Sequence, residues 1–153
     1  MPTKQVIVLR TKYPDGRGGT QGIRLGKCGA QIAHASMKVF FDRALNRPTA
    51  MPEFGEKARL LPDFLEIPLT GAMTHWVWGV FTKVVVGVDT EEELLAIYEA
   101  AKEAGLPTAI IQDMGATGFK GVPTFTTVAI GPDEVEEIDR ITGPEGRFKC
   151  RLL

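Results

Sequence analysis

A chain of 153 residues, 44 % hydrophobic and 24 % charged, is long enough for one domain with its own core and too apolar for a disordered chain. Two cysteines, Cys28 and Cys150, lie far apart without metal-ligand spacing, which predicts a reduced intracellular protein rather than a disulfide scaffold. Net charge is only −1, yet 11 of the 18 basic side chains and just 4 of the 19 acidic ones fall within residues 1–60, an asymmetry that suits an anionic partner.

Gln5–Arg10 is a short apolar run of the kind that makes a buried parallel strand. Met1-Pro-Thr-Lys4 leads straight into it without a signal peptide, and no apolar run reaches membrane-span length. A cytoplasmic protein without membrane contact is expected. Thr11–Leu25 is a glycine-rich basic loop carrying Lys12, Arg17 and Arg24, with a turn at Pro14-Asp15-Gly16. A helix is predicted from Lys27 to about Leu45, ending before Asn46-Arg47-Pro48, with Phe40 and Phe41 in the core. Prolines break 49–79 into pieces, with a helix near Glu53–Leu61 and two core-covering tryptophans, Trp76 and Trp78. Lys83–Val88 is a second buried strand, followed by a capped acidic helix that stops at Gly105. Strands at Pro107–Gln112 and Thr124–Ile130 flank a second glycine-rich loop. A helix at Asp133–Ile141 and a terminal edge strand or tail close the chain.

Alternation of strand and helix points to an α/β fold with a mostly parallel sheet, whose ligands sit beyond the carboxyl ends of the strands. At 100° per residue, Lys27, Gln31, His34 and Lys38 fall within a roughly 60° arc of one helix face. A lysine in the first turn opposes the helix dipole and so asks for a reason. Lys27 follows the first strand, Asp113 follows the third, and Thr117 lies in the loop leaving Asp113, so one crevice gathers a cation, a carboxylate and a hydroxyl. A phosphate-binding loop is excluded, because Gly22–Cys28 is one residue short and ends in cysteine. A Cys28–His34 pair lies about 120° apart around the helix, and His34 and His75 make no metal cluster. What remains is an acid/base and electrostatic set, Lys27, Gln31, His34, Asp113 and Thr117, suited to hydrolysis of a labile ester.

Gly26–Ser36 (G-K-C-G-A-Q-I-A-H-A-S) resembles the G-K-x-x-A-Q-x-x-H-A signature of type 2 peptidyl-tRNA hydrolases. Lys83-Val-Val-Val, Glu91-Glu-Glu-Leu-Leu, Ala104-Gly-Leu-Pro-Thr-Ala, Asp113-Met-Gly-Ala-Thr117, Val128-Ala-Ile-Gly-Pro132 and Glu137–Gly143 are similar to the same family in the family's order. The resemblance implies a single α/β domain over residues 1–153, a three-layer α/β/α arrangement whose four-stranded mixed sheet has its fourth strand antiparallel to the rest. It implies hydrolysis of the ester between a peptide and the 3′-terminal ribose of tRNA, no metal or organic cofactor, peptidyl-tRNA as partner, and a homodimer.

Carried over, Lys27, Gln31, His34, Asp113 and Thr117 match the family's functional positions, with Asp113 and Thr117 expected to position water and Lys27 to steady developing charge or the terminal phosphate. Arg10, Lys12, Arg24, Lys38 and Lys83 are further candidates for tRNA backbone contacts. The chain departs from the pattern at Ala116 and Gly118, and by apparent insertions at 11–25 and 49–74. A non-catalytic RNA-binding or protein-interaction module that retains the fold is therefore the competing expectation.

Overall fold

The computed structural model describes residues 2–48, 61–115, 119 and 121–153. Its elements in chain order are β1 (Thr3–Arg10), β2 (Tyr13–Pro14), β3 (Thr20–Gln21), α1 (Leu25–Phe41), α2 (Gly71–Trp78), β4 (Lys83–Val88), α3 (Glu91–Glu103), β5 (Thr108–Asp113), β6 (Thr124–Glu134), α4 (Val135–Thr142) and β7 (Arg151–Leu152).

Five strands form one mixed sheet in the order β5-β6-β1-β4-β7, while β2 and β3 make a separate hairpin. β1 and β4 pair in parallel, from Gln5 opposite Lys83 to Arg10 opposite Val88. β6 lies antiparallel between β1 and β5, so β5 runs in the direction of β1. The fourth of the expected strands is thus antiparallel to the other three. Two expectations change. The sheet is mixed rather than mostly parallel, and it has five strands rather than four, because Arg151–Leu152 adds antiparallel to β4. An apolar run buried on both faces looks the same in either strand direction, so the residue pattern alone does not distinguish them.

Both faces of β1 are covered. Val6 and Val8 join Leu94, Ile97, Ile138 and Ile141 of α3 and α4, whereas Ile7 joins Ala35 and Val39 of α1 and Met73 of α2. Each such buried Val, Leu, Ile or Met side chain contributes about 1.5–3 kcal/mol of transfer free energy. The buried Gln5 amide donates to the carbonyls of Ser36 and Gly131 and accepts from the Ser36 hydroxyl, which ties β1 to α1 and β6.

Local boundaries shift where tertiary contacts intervene. α1 begins two residues before Lys27 and ends at Phe41 rather than near Leu45. There the chain tightens through Arg43 N–H to Phe40 O and Ala44 N–H to Phe41 O, and the Leu45 amide donates to Glu66 O at 2.8 Å. Phe40 packs against the second cluster, but Phe41 is 43 % exposed. β6 runs four residues past Ile130, because Asp133 and Glu134 pair with Lys4 and Thr3 across a bulge. Gly131 turns there at φ +88°, where a Cβ would meet the Lys4 carbonyl at 2.8 Å.

α2 was not foreseen, although Thr70 caps it by accepting from the Met73 amide. Trp76 is buried between Phe40 and Phe81, its indole N–H donating to Thr82 O at 2.7 Å, while Trp78 is exposed. The helix expected near Glu53–Leu61 lies outside the described residues, apart from Leu61. No helix among the described residues is long and apolar enough to cross a membrane.

The terminal strand is held by a carboxylate. Asp89 accepts from the Thr11 hydroxyl at 3.0 Å and from Arg151 at 2.7 Å, with Lys12 at 3.4 Å. The Thr11 hydrogen bond first, then that of Arg151, holds the Asp89 carboxyl below its ordinary 3.8. A depressed carboxyl stabilises the fold above its unfolded pKa, and that contribution disappears as pH falls through the lower folded value. Acidification below 3.8 is therefore expected to release β7 early. The check is amide-exchange protection at Leu153, whose N–H bonds Val85 O. Protection that persists until global unfolding, both on acidification and in Asp89→Asn at neutral pH, rejects the assignment.

Candidate active site

The chain leaves β1 at Arg10, forms the β2–β3 hairpin and enters α1, which packs across β6 and β5. That crossing carries the first turns of α1 to the carboxyl end of β5, where Asp113 stands. Arg24, Lys27, Gln31, His34 and Asp113 line one open cleft of about 620 Å³, together with Gly26, Ala30 and Met114.

Asp113 is the hub. Its Oδ2 accepts from Gln31 Nε2 at 2.9 Å and lies 3.5 Å from Lys27 Nζ, and its Oδ1 accepts from the Gly115 amide at 2.6 Å. The Lys27 and Asp113 side chains are only 9 % and 15 % exposed, so their attraction is poorly screened by water. The cost of placing a lysine in the first turn of α1 is thereby offset by a specific carboxylate. Lys27 Nζ also lies 4.2 Å from the centroid of the Phe119 ring. Gly115 adopts φ +83°, and a Cβ there would meet Val122 N at 2.5 Å, so this turn requires glycine.

Behind Asp113 runs a buried chain of hydrogen bonds. Thr127 Oγ1 donates to Thr126 Oγ1 at 3.2 Å, and Thr126 Oγ1 donates to Gln31 Oε1 at 2.7 Å. With its carbonyl held by Thr126, the Gln31 amide must present its NH₂ group to Asp113. Sequence reading missed Thr126 and Thr127. The available signal was a pair of hydroxyl side chains directly before the apolar run Val128–Ile130, and both are fully buried. Thr126→Val keeps the shape and removes the donor. We expect kcat to fall about tenfold with little change in KM and stability to drop by about 1–2 kcal/mol. Thr126→Ser should restore turnover. Wild-type kcat in the valine variant, from single-turnover assays, rejects the positioning role.

The remaining candidates separate. His34 and Arg24 are exposed on the cleft rim. Lys38 lies further along α1 and pairs with Asp42 at 2.7 Å, and Lys12 pairs with Asp89. Arg10 lines a neighbouring cleft with Tyr13, whose phenol is pushed up by burial and partly offset by the Arg10 charge. Lys83 begins β4 opposite Gln5, at the other end of the sheet, over the Trp76 and Phe81 rings, and burial lowers its pKa. Thr117, Ala116 and Gly118 lie outside the described residues. Cys28 donates to Ile23 O at 3.7 Å and is not among the cleft residues. No group of three or more His, Cys, Asp or Glu side chains arranged to hold a metal occurs among the described residues.

These features define an α/β protein with an acid/base and electrostatic cleft at the carboxyl end of its sheet. A family model described as Peptidyl-tRNA hydrolase PTH2 matches residues 3–144. Proteins named peptidyl-tRNA hydrolase are similar along nearly their whole length. That of Methanocaldococcus jannaschii is 35 % identical over 140 residues, covering 92 % of this chain and 95 % of its own. That of Sulfurisphaera tokodaii is 35 % identical, covering 94 % and 96 %, and that of Halobacterium salinarum 36 %, covering 95 % and 99 %. The chain belongs to the PTH2 family of peptidyl-tRNA hydrolases.

Proposed function

We propose that this protein hydrolyses the ester joining a peptide, or an N-blocked amino acid, to the 3′-terminal ribose of tRNA, and so recycles peptidyl-tRNA. The observation that carries the reading is Asp113, held by Gln31 and Gly115 and faced by Lys27 in an open cleft, in a chain of this family. Asp113 and Thr117 position a water molecule. Its oxygen adds to the ester carbonyl carbon while its proton passes to Asp113. The intermediate collapses by breaking the bond to the ribose oxygen, which takes up the proton and leaves as the tRNA 3′ hydroxyl. Lys27 stabilises the negative charge developing on the carbonyl oxygen or binds the terminal phosphate. Arg24 and, further along α1, Lys38 supply that face with the cations that phosphates need, with His34 beside them on the cleft rim; Lys12 and Lys83 are weaker backbone contacts, while Arg10 is buried over the Tyr13 ring.

The division of the core into clusters on opposite faces of β1 supports a three-layer α/β/α arrangement. A single domain over 1–153 with additions at 11–25 and 49–74, a cytoplasmic location and a homodimer complete the reading. Family membership favours the enzyme over a non-catalytic module. The deciding assay measures amino acid release from N-acetyl-aminoacyl-tRNA, with the free-amine aminoacyl-tRNA as control. Release from the blocked substrate alone, lost on substituting Asp113, supports the function. A folded wild-type protein that binds the RNA without cleaving it supports the module instead.

A further inference from the structure

A second cleft, of about 350 Å³, opens beside the first, within the size range of small-ligand sites (about 300–1,000 Å³). The β2–β3 hairpin forms one wall through Tyr13 and Pro14, and Phe119, Val122 and Pro123 form the facing one. Phe119 joins the two clefts, since its ring packs on Tyr13 with centroids 4.8 Å apart and also meets Lys27 Nζ. The facing wall is tied to the loop that holds Asp113, because the Gly121 amide donates to Gly115 O at 2.9 Å and the Val122 amide to Phe119 O at 3.0 Å.

The polar groups of this cleft decide what can occupy it. Arg10 is 92 % buried, with its guanidinium over the Tyr13 ring at 4.5 Å and donating to the carbonyls of Lys12 and Phe125. Asp15 and Glu91 line the same space. The Asp15 carboxylate is engaged within its own turn, accepting from the Arg17 and Gly19 amides. A phosphate placed here would meet two carboxylates against one guanidinium. An uncharged group of apolar bulk meets Pro14, Phe119, Val122 and Pro123, while peptide amides find donors and acceptors in Arg10, Gln21 and Glu91. Arg24, Lys27 and His34 lie on the other cleft, where the two cations suit the RNA.

We propose that the cleft between the β2–β3 hairpin and the wall made by Phe119, Val122, Pro123 and Thr124 receives the acyl half of the substrate, seating a large apolar side chain of the esterified amino acid beside Phe119. This rests on the hydrolase reading and adds a substrate preference to it. The apolar wall favours phenylalanyl over glycyl esters through burial of the side chain as the ester carbonyl reaches Lys27 and Asp113.

The test uses one tRNA body charged separately with N-acetyl-phenylalanine and N-acetyl-glycine, and compares kcat/KM for wild type, Val122→Ala and Val122→Asp. Val122 is 59 % exposed, so both variants should fold. Wild type is expected to favour the phenylalanyl ester by about tenfold. Val122→Ala should narrow that ratio, and Val122→Asp should bring it close to one by lowering the phenylalanyl rate more than the glycyl rate. Equal rates for both esters in wild type, or a preference untouched by Val122→Asp, overturns the assignment. An equal loss for both esters in Val122→Asp also overturns it, and gives the wall to the terminal nucleoside. Cleavage of neither ester by folded wild type rejects the hydrolase reading itself, an outcome distinct from equal cleavage of both.

Discussion

Asp113→Asn is expected to lower kcat for N-acetyl-aminoacyl-tRNA by about 10²–10⁴-fold, the range associated with loss of a positioned proton acceptor. Asparagine keeps the size of the side chain and can still accept hydrogen bonds through Oδ1. It cannot take a proton from water, and it leaves the nearly buried Lys27 ammonium facing a neutral amide. A stability loss of about 1–3 kcal/mol accompanies the change, from removal of the negative charge that faces the Lys27 ammonium. Melting by circular dichroism beside single-turnover hydrolysis separates the two effects. A folded Asp113→Asn protein with wild-type turnover would remove Asp113 from the chemistry and leave the cleft as a binding surface.

Lys27→Met is the second large effect, with kcat/KM expected to fall about 10²–10³-fold, as when one preorganised stabiliser of an oxyanion is lost. Methionine preserves much of the stem that packs toward Phe119 and removes the charge. The division between kcat and KM discriminates the two roles open to the ammonium. A loss confined to kcat assigns it to charge developing on the carbonyl oxygen. A rise in KM, with the salt dependence of binding reduced by about one charge, assigns it to a phosphate. Unchanged kinetics in a folded variant would mean that the Lys27–Asp113 pair serves only the fold.

How much of this was legible in the residues depended on how far each contact reaches along the chain. Capping at Thr90, the stop at Gly105 and the apolar runs of β1 and β4 are local signals and place those elements within a residue or two. The helical spacing of Lys27, Gln31 and His34 is likewise local, and those three line one cleft. The end of α1 was misjudged because Glu66, 21 positions beyond Leu45, accepts the hydrogen bond that draws the chain away. α2 went unseen because eight residues among prolines show little periodicity, and tertiary packing of Met73 and Trp76 does more to define it.

The sequence by itself determined the chemistry available, a lysine, a glutamine and a histidine on one helix face and an aspartate at a strand end, because side-chain type and helical repeat are properties of adjacent residues. Only the tertiary structure decided which of them meet. Lys83, in a motif that resembles the family, stands at the far end of the sheet from Asp113, while Thr126, which no spacing singled out, reaches Asp113 through Gln31 over 95 positions of chain. Strand direction and order set those distances, and the antiparallel β6, lying between β5 and β1, brings Thr126 beneath α1. Such pairings are chosen by the burial of two sheet faces at once, which is a property of the whole chain rather than of any segment.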